Sequence, residues 1–271
     1  MIPRILFPLL GLPFFLISCT DSDETVRLEA TGSSTLAPLL SEIAKRYENS
    51  HPGVRIDIQT GGSSRGIADA GTGVADLGMS SRALKQSEKV GRVTHTVAMD
   101  GVALLVHANN PVSELSDEQI IGIFTGEIMN WKEVGGKDAP INCVNRANGR
   151  SELELFQMFF GLDAEHFQPD MISGENQHGI KTVASDENAI IYMSIGASEY
   201  EAAHGAPIKL LPLRGVAATT EKVASGEFPL SRPLILITTP EPPKPVQDFL
   251  NYALSPEVHD LVRQQSYVPV L

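Results

Sequence analysis

Apolar and polar residues alternate with period two over Val26-Arg27-Leu28-Glu29-Ala30 and again over Val54-Arg55-Ile56-Asp57-Ile58-Gln59, which predicts two strands with one buried face each. Between them Leu36, Leu39, Leu40, Ile43, Ala44 and Tyr47 recur at helical spacing. Pro38 falls in the first turn of that helix, where a missing N–H costs little, and His51-Pro52-Gly53 ends it. A short helix is expected over 66–70, a strand over 75–79 and a polar helix around 84–90. A mostly apolar strand follows at 100–107, and Ser116 with Gln119 forms a capping signal ahead of an apolar run through Phe124. The loop at 125–136 carries the single Trp131, expected to pack in the core. Strands are predicted at 141–145, 188–193 and 230–237, an amphipathic helix through Leu153, Leu155, Phe156, Phe159 and Phe160, and closing helical segments at 246–252 and 256–264. Strand–helix alternation of this kind predicts an open α/β sheet. No fixed-period repeat is present.

Four loops share one design. Gly32-Ser33-Ser34-Thr35, Thr60-Gly61-Gly62-Ser63-Ser64-Arg65-Gly66, Met79-Ser80-Ser81-Arg82 and Arg146-Ala147-Asn148-Gly149-Arg150-Ser151-Glu152 each follow a predicted strand. Gly- and Ser-rich loops ahead of helices present backbone N–H groups and hydroxyls with a helix dipole behind them, which is chemistry for holding an anion. Arginine adds fixed charge. In open α/β sheets ligands sit at the carboxyl ends of strands. The candidate ligand-binding residues are therefore Ser33, Ser34, Thr35, Ser63, Ser64, Arg65, Ser80, Ser81, Arg82, Arg146, Gly149, Arg150, Ser151 and Glu152, expected to surround one oxyanion. Asp100, at a strand end, is either a proton acceptor for that anion or a hydrogen-bonder to nearby backbone. Taken singly, Gly-Ser loops also serve as plain turns. The second loop has an enzymatic alternative as well. Gly62-Ser63-Ser64-Arg65-Gly66 fits G-x-S-x-G, the nucleophile elbow of serine hydrolases, with Ser64 as nucleophile and His107, His178 and His204 downstream. The other serine loops would have no part in such a triad.

Net charge narrows the partners. The chain has 271 residues and a formal charge of −12, without a basic stripe, so nucleic acid is not an expected partner. An anion site on such a chain must work locally. Arg4 is followed by an apolar run over 5–17 broken by Pro8 and Pro13, too short to span a bilayer and shaped like a secretory leader. Residues 1–18 are read as that leader; its removal takes Arg4 with it and shifts the charge from −12 to −13. Leu16-Ile17-Ser18-Cys19 looks like a lipobox, with Cys19 the acylated residue and 19–25 an acidic tether, giving an exported, membrane-anchored periplasmic or cell-surface lipoprotein. Cys143 is then the remaining thiol, expected to be buried and structural. The seven His lack metal-ligand spacing, and neither a metal nor a cofactor is expected.

Taken in order, Thr31 to Pro38, Gly61 to Gly66, Asp76 to Arg82, Asp100-Gly101-Val102-Ala103, Ile123-Phe124-Thr125-Gly126 with Asn130-Trp131, and Tyr192 near a turn carry a resemblance running from about Leu28 to Pro233. The chain resembles the phosphate-binding proteins of bacterial phosphate ABC importers. That resemblance implies a two-lobed, type II periplasmic binding fold of the venus-flytrap kind with the ligand in the inter-lobe cleft. It places residues 26–104 and 214–271 in lobe 1 and 105–213 in lobe 2. It also implies a monomer, no enzymatic activity and an importer permease as partner. By position Ser34, Thr35, Ser63 or Ser64, and Ser81 would donate to phosphate, and Arg146 would pair with it bidentately. Many relatives carry an Asp at the place of Ser81 to accept the proton of hydrogen phosphate. Relatives also read Gly-Ser-Gly-Thr where this chain has Gly149-Arg150-Ser151-Glu152. A carboxylate facing phosphate would repel it, so Glu152 is expected to turn toward Arg150 or solvent, or else to accept the anion's proton. Sulfate, molybdate and tungstate are the competing ligands. An oxyanion sensor or surface protein without transport is the alternative function.

Overall fold

The computed structural model describes residues 25–270; the leader, the Cys19 lipobox and the tether up to residue 24 lie outside the described residues. The chain opens with β1 (Val26–Gly32), α1 (Ala37–Ser50), β2 (Val54–Thr60), α2 (Ser63–Thr72) and β3 (Leu77–Ser80). These are crossover units: β1 lies between β2 and β3 and is parallel to both. α1 forms because its apolar positions fall on one face, and Leu39, Leu40, Ile43 and Tyr47 bury that face against the sheet. α2 begins at Ser63, three residues earlier than the pattern suggests, so Ser63, Ser64 and Arg65 form its first turn. Glycine makes that start possible. A Cβ on Gly66 would stand 2.5 Å from the carbonyl oxygens of Thr31 and Met79, and one on Gly32 would stand 2.2 Å from Met79 O. Only bare backbone lets α2 sit this close to the ends of β1 and β3.

The 15-residue β4 (Val93–His107) organises the rest. After it come α3 (Asp117–Phe124), β5 (Asn142–Arg146), α4 (Ser151–Phe160), β6 (Met171–Ser173), α5 (Asn176–Ser185), β7 (Ala189–Ser194), α6 (Ile195–Ala203) and β8 (Ile208–Leu210). The chain closes with α7 (Thr220–Ala224), β9 (Ser231–Thr238), α8 (Lys244–Ala253), α9 (His259–Gln264) and β10 (Val268–Pro269). The first part of β4, Val93 to Gly101, pairs antiparallel with β9, and its last residues, Val102 to Val106, pair with β7. The strand order is β2-β1-β3-β9-β4-β7-β5-β6, with β8 and β10 also on β4. One strand thus belongs to two half-sheets.

The two largest apolar clusters among the described residues match the two halves. Leu28, Leu39, Ile43, Leu77, Leu234 and Phe249 lie in one cluster. Val102, Phe124, Trp131, Phe156, Tyr192 and Phe228 lie in another. The stretch 214–230, expected with the first lobe, contributes Ala218, Val223, Phe228 and Leu230 to this second core. Trp131 is buried and its indole N–H donates to Asn188 O at 2.9 Å, a packing residue as its setting suggested. The polar helix expected at 84–90 is instead a single 3-10 turn over Gln86–Glu88. That segment has no apolar stripe to bury, and Glu88 is drawn back to Arg82 and the Lys85 N–H.

Cys143 sits in β5 and is buried; burial, with Asp170 nearby, pushes its thiol up to about 12. Because the thiolate is the reactive form, Cys143 in the folded protein should resist iodoacetamide at pH 8 and react fully in denaturant. Mass spectrometry of the peptide containing Cys143 measures both.

Candidate functional site

The carboxyl ends of β1, β3 and β5 and the start of β9 deliver polar side chains to one place between the two cores, where the starts of α2, α4 and α5 also meet. Ser33, Thr35, Ser63, Ser81, Asp100, Arg146, Ser151, Glu152, Asn176 and Arg232 are all buried. Buried polar groups persist only when paired, and of the buried side-chain atoms of these residues Arg146 Nε is the one without a partner.

The hydroxyls form a chain. Ser33 Oγ accepts the N–H groups of Thr35 (3.1 Å) and Leu36 (3.2 Å) at the start of α1, which uses both its lone pairs. Its own proton therefore goes to Ser81 Oγ, 2.8 Å away. Ser81 Oγ also lies 2.8 Å from Ser151 Oγ on the facing half. Ser63 Oγ accepts the Ser81 N–H at 3.1 Å. Ser151 in turn accepts from Arg232 Nη1 at 3.0 Å.

Two guanidiniums flank this chain. Arg232 reaches Asp100 Oδ2 through Nε (3.0 Å) and Nη2 (2.8 Å), Glu152 Oε1 at 2.9 Å and Thr35 Oγ1 at 3.3 Å. Burial works against its charge, but Glu152 and Asp100 outweigh that and hold its pKa above the ordinary arginine value. Arg146 donates to Asn176 Oδ1 (2.8 Å), Ser173 Oγ (3.3 Å) and Glu175 O (3.2 Å), and its Nη2 lies 3.7 Å from Glu152 Oε2. Burial lowers the pKa of Arg146, with Glu152 offsetting part of that. Asp100 Oδ1 accepts the Gly196 N–H at 3.0 Å, so this carboxylate serves as partner to Arg232 and as a backbone acceptor across the strand crossing.

Glu152 turns inward, toward neither Arg150 nor solvent. It is 2 % exposed, and it accepts the Thr35 hydroxyl at 2.9 Å as well as facing both arginines. Burial raises its pKa, but Arg232, Arg146, its own backbone N–H and the Thr35 hydroxyl together hold it at about 2. Its place in the first turn of α4 adds a favourable helix dipole. Arg150, the expected partner, pairs with Glu175 Oε1 at 2.8 Å instead.

The other sequence candidates divide. Ser34 borders the cluster, its hydroxyl 3.3 Å from Asn176 Oδ1. Gly149 takes part through its backbone, accepting the Ser64 N–H at 3.2 Å. Ser64 Oγ donates to Glu154 Oε1 at 2.9 Å rather than to a histidine. His178 meets Ser173, His204 meets Tyr200 O and His107 meets the Asn109 N–H, so the elbow has no triad around it. Ser80 closes a local turn onto Arg82 O. Arg82 is buried but pairs with Glu88 and Glu154 away from the hydroxyl chain. Arg65 is exposed and braces its own helix through Asp69 at 3.1 Å. These three are structural neighbours of the cluster. Two members escaped the sequence reading. Arg232 carried a signal, a lone charge at the start of an otherwise apolar strand; Asn176 sits where no periodicity marked an element.

A cleft of ≈ 460 Å³, bordered by Ser34, Thr60, Glu175, Asn176 and Tyr267 among others, lies against one side of the cluster. Taken together, the arrangement can hold a compact oxyanion: two guanidiniums, five hydroxyls and several helix starts converge, with donors from both halves.

Known proteins share this architecture. A family model described as a PBP superfamily domain matches residues 20–257. A structure from Clostridium perfringens, described as a phosphate ABC transporter substrate-binding protein with bound phosphate, is 35% identical, with a TM-score of 0.84 over 90% of this chain and 100% of that one. An ABC-type phosphate transport receptor from Vibrio cholerae is 28% identical, with a TM-score of 0.72 over 90% of this chain and 100% of that one. Phosphate-binding protein PstS of Bacillus subtilis is 29% identical over 247 residues, covering 90% of this chain and 80% of that protein.

Removing Arg232 leaves two buried carboxylates without their main cation. Arg232→Met should therefore cost about 3–5 kcal/mol of stability in urea unfolding, the range for breaking a buried ion pair. Glu152 makes a separate pH prediction. Its carboxyl drops from 4.5 to about 2 on folding, so the stability it contributes is whole above pH 4.5 and is lost as pH falls toward 2. The stability difference between wild type and Glu152→Gln, measured by urea unfolding across that window, should shrink as pH falls.

Proposed function

Because the chain belongs to the PBP superfamily, among the extracytoplasmic solute-binding proteins of bacterial phosphate ABC importers, we propose that the cluster between its halves captures inorganic phosphate, or a tetrahedral oxyanion of similar size, for delivery to an importer permease. The protein is a receptor and not an enzyme, with the two-lobed type II fold of its relatives. The observation that carries the ligand assignment is the convergence of Arg146 and Arg232, buried and on opposite halves, with the hydroxyls of Ser33, Thr35, Ser63, Ser81 and Ser151. Arg146 and Arg232 supply charge-assisted donors, and the hydroxyls complete a tetrahedral shell with protons they can redirect.

Ser81 takes the place at which relatives are expected to carry a carboxylate acceptor. A hydroxyl can accept the proton of hydrogen phosphate or donate to a bare oxygen, so this position alone does not reject sulfate. The lobes meet at the crossing in β4 and at the return before β9, with 214–230 moving as part of the second lobe. Donors on both lobes give the anion more contacts in the closed arrangement than in an open one, and that difference is what shifts the equilibrium toward closure. The cleft beside Ser34 and Asn176 is the approach. Acylation of Cys19 holds the receptor, a monomer, at the membrane surface.

Isothermal calorimetry with phosphate, sulfate, molybdate and tungstate tests the assignment. Phosphate should bind, and Arg146→Met should weaken it by about 10- to 100-fold, the equivalent of one charge-assisted hydrogen-bonding partner. Binding of sulfate without phosphate would overturn the phosphate assignment.

A further inference from the structure

The carboxylate of Glu152 is bound the way a small anion would be. One oxygen takes Arg232 Nη2 and the Thr35 hydroxyl, both at 2.9 Å, and the other faces Arg146 Nη2 at 3.7 Å. The side chain starts from α4 on one half and is gripped by Thr35 and Arg232 of the other. Charge balance makes the same point. Arg146 and Arg232 bring two positive charges, and Asp100 and Glu152 bring two negative ones. The nearby Arg150 is paired with Glu175, and Arg82 with Glu88 and Glu154. Among the described residues each arginine at this buried cluster already faces a carboxylate, so an external anion would add uncompensated charge, at a cost burial makes large.

We propose that Glu152 is a built-in competing anion: it occupies the Arg146–Arg232 pair and must be displaced before an inorganic oxyanion binds. Glu152 thereby sets the receptor's affinity, and it holds the two halves together through an intrachain contact of the kind the anion would otherwise make. The proposal rests on the oxyanion-receptor reading of this cluster. Asp100 is not an equivalent competitor, because it lies directly opposite Arg232 in the β4–β9 pairing and makes two contacts to that guanidinium, while its other oxygen is taken by the Gly196 N–H.

The test compares wild type with Glu152→Gln and Glu152→Thr, each prepared with and without phosphate, by calorimetry with phosphate and sulfate and by thermal unfolding. Freed of the tethered carboxylate, both variants should bind phosphate about 10- to 100-fold more tightly than wild type. Phosphate should also raise their unfolding temperature more than it raises that of wild type. Binding by the variants alone supports the proposal equally. If a variant needs an anion to fold, restoration of the fold by phosphate supports it, and failure of phosphate to restore either variant overturns it. Wild-type binding that is unchanged or weakened in the variants overturns it too, and a loss confined to phosphate would make Glu152 a proton acceptor instead. No binding of phosphate or sulfate by any of the three chains overturns the receptor reading itself, and the competing-anion proposal with it.

Discussion

A guanidinium that is 1 % exposed cannot stand alone, because the cost of removing its charge from water far exceeds what packing returns. Arg232 meets that constraint with two carboxylates of different origin. Asp100 is its direct neighbour across the β4–β9 pairing, so their ion pair fixes the register at the point where β4 passes from one half-sheet to the other. Glu152 comes from the far half, on the first turn of α4. The same side chain therefore locks strand register and bridges the lobes. A slip of one residue along β9 would turn Arg232 to the opposite face and leave both acids buried without it.

The hydroxyl chain has a different physical character. Ser33 is committed by the two backbone N–H groups it accepts, but Ser81 and Ser151 can each turn their protons either way. A fixed donor at one end and rotatable hydroxyls at the other give a shell that adapts to the protonation of what it meets. The arginines, by contrast, are rigid in position and always charged. Specificity in such a cluster comes from which acceptors are present, and Glu152 is the carboxylate that faces both guanidiniums.

Much of this was legible in the chain. The loops at 32–35, 60–66, 79–82 and 146–152 stand out because Gly and Ser follow alternating strands, and Ser33, Thr35, Ser63, Ser81, Arg146, Ser151 and Glu152 do meet. What failed was direction. Arg65, Ser80 and Arg82 share the loops' composition but point elsewhere: Asp69, Glu88 and Glu154 lie within reach of the two arginines and a local ion pair wins over a distant ligand site, while the Ser80 hydroxyl closes onto Arg82 O. Glu152, a site candidate expected either to turn toward Arg150 or solvent or to accept the anion's proton, is drawn inward because two arginines and a hydroxyl outweigh its desolvation. Arg232 and Asn176 were harder. Their contacts span 197 and 141 residues to Thr35, and no periodicity within a window of the sequence encodes a pairing of that range. The short elements β6, β8 and β10 failed for a related reason, since three or fewer residues carry too little alternation to read.

A tethered carboxylate also changes what affinity means in this protein. Being part of the chain, Glu152 faces the arginines at an effective concentration far above that of any free solute, and it gives up little translational freedom when it docks. The apparent affinity for an external oxyanion is then the intrinsic affinity reduced by the fraction of time the carboxylate spends elsewhere. The net charge of −12 compounds this, since the surface does nothing to concentrate anions near the cleft. A receptor built in this way responds to a higher range of ligand concentration than the same cradle with a neutral residue at 152, and it does so without altering either guanidinium of the cluster.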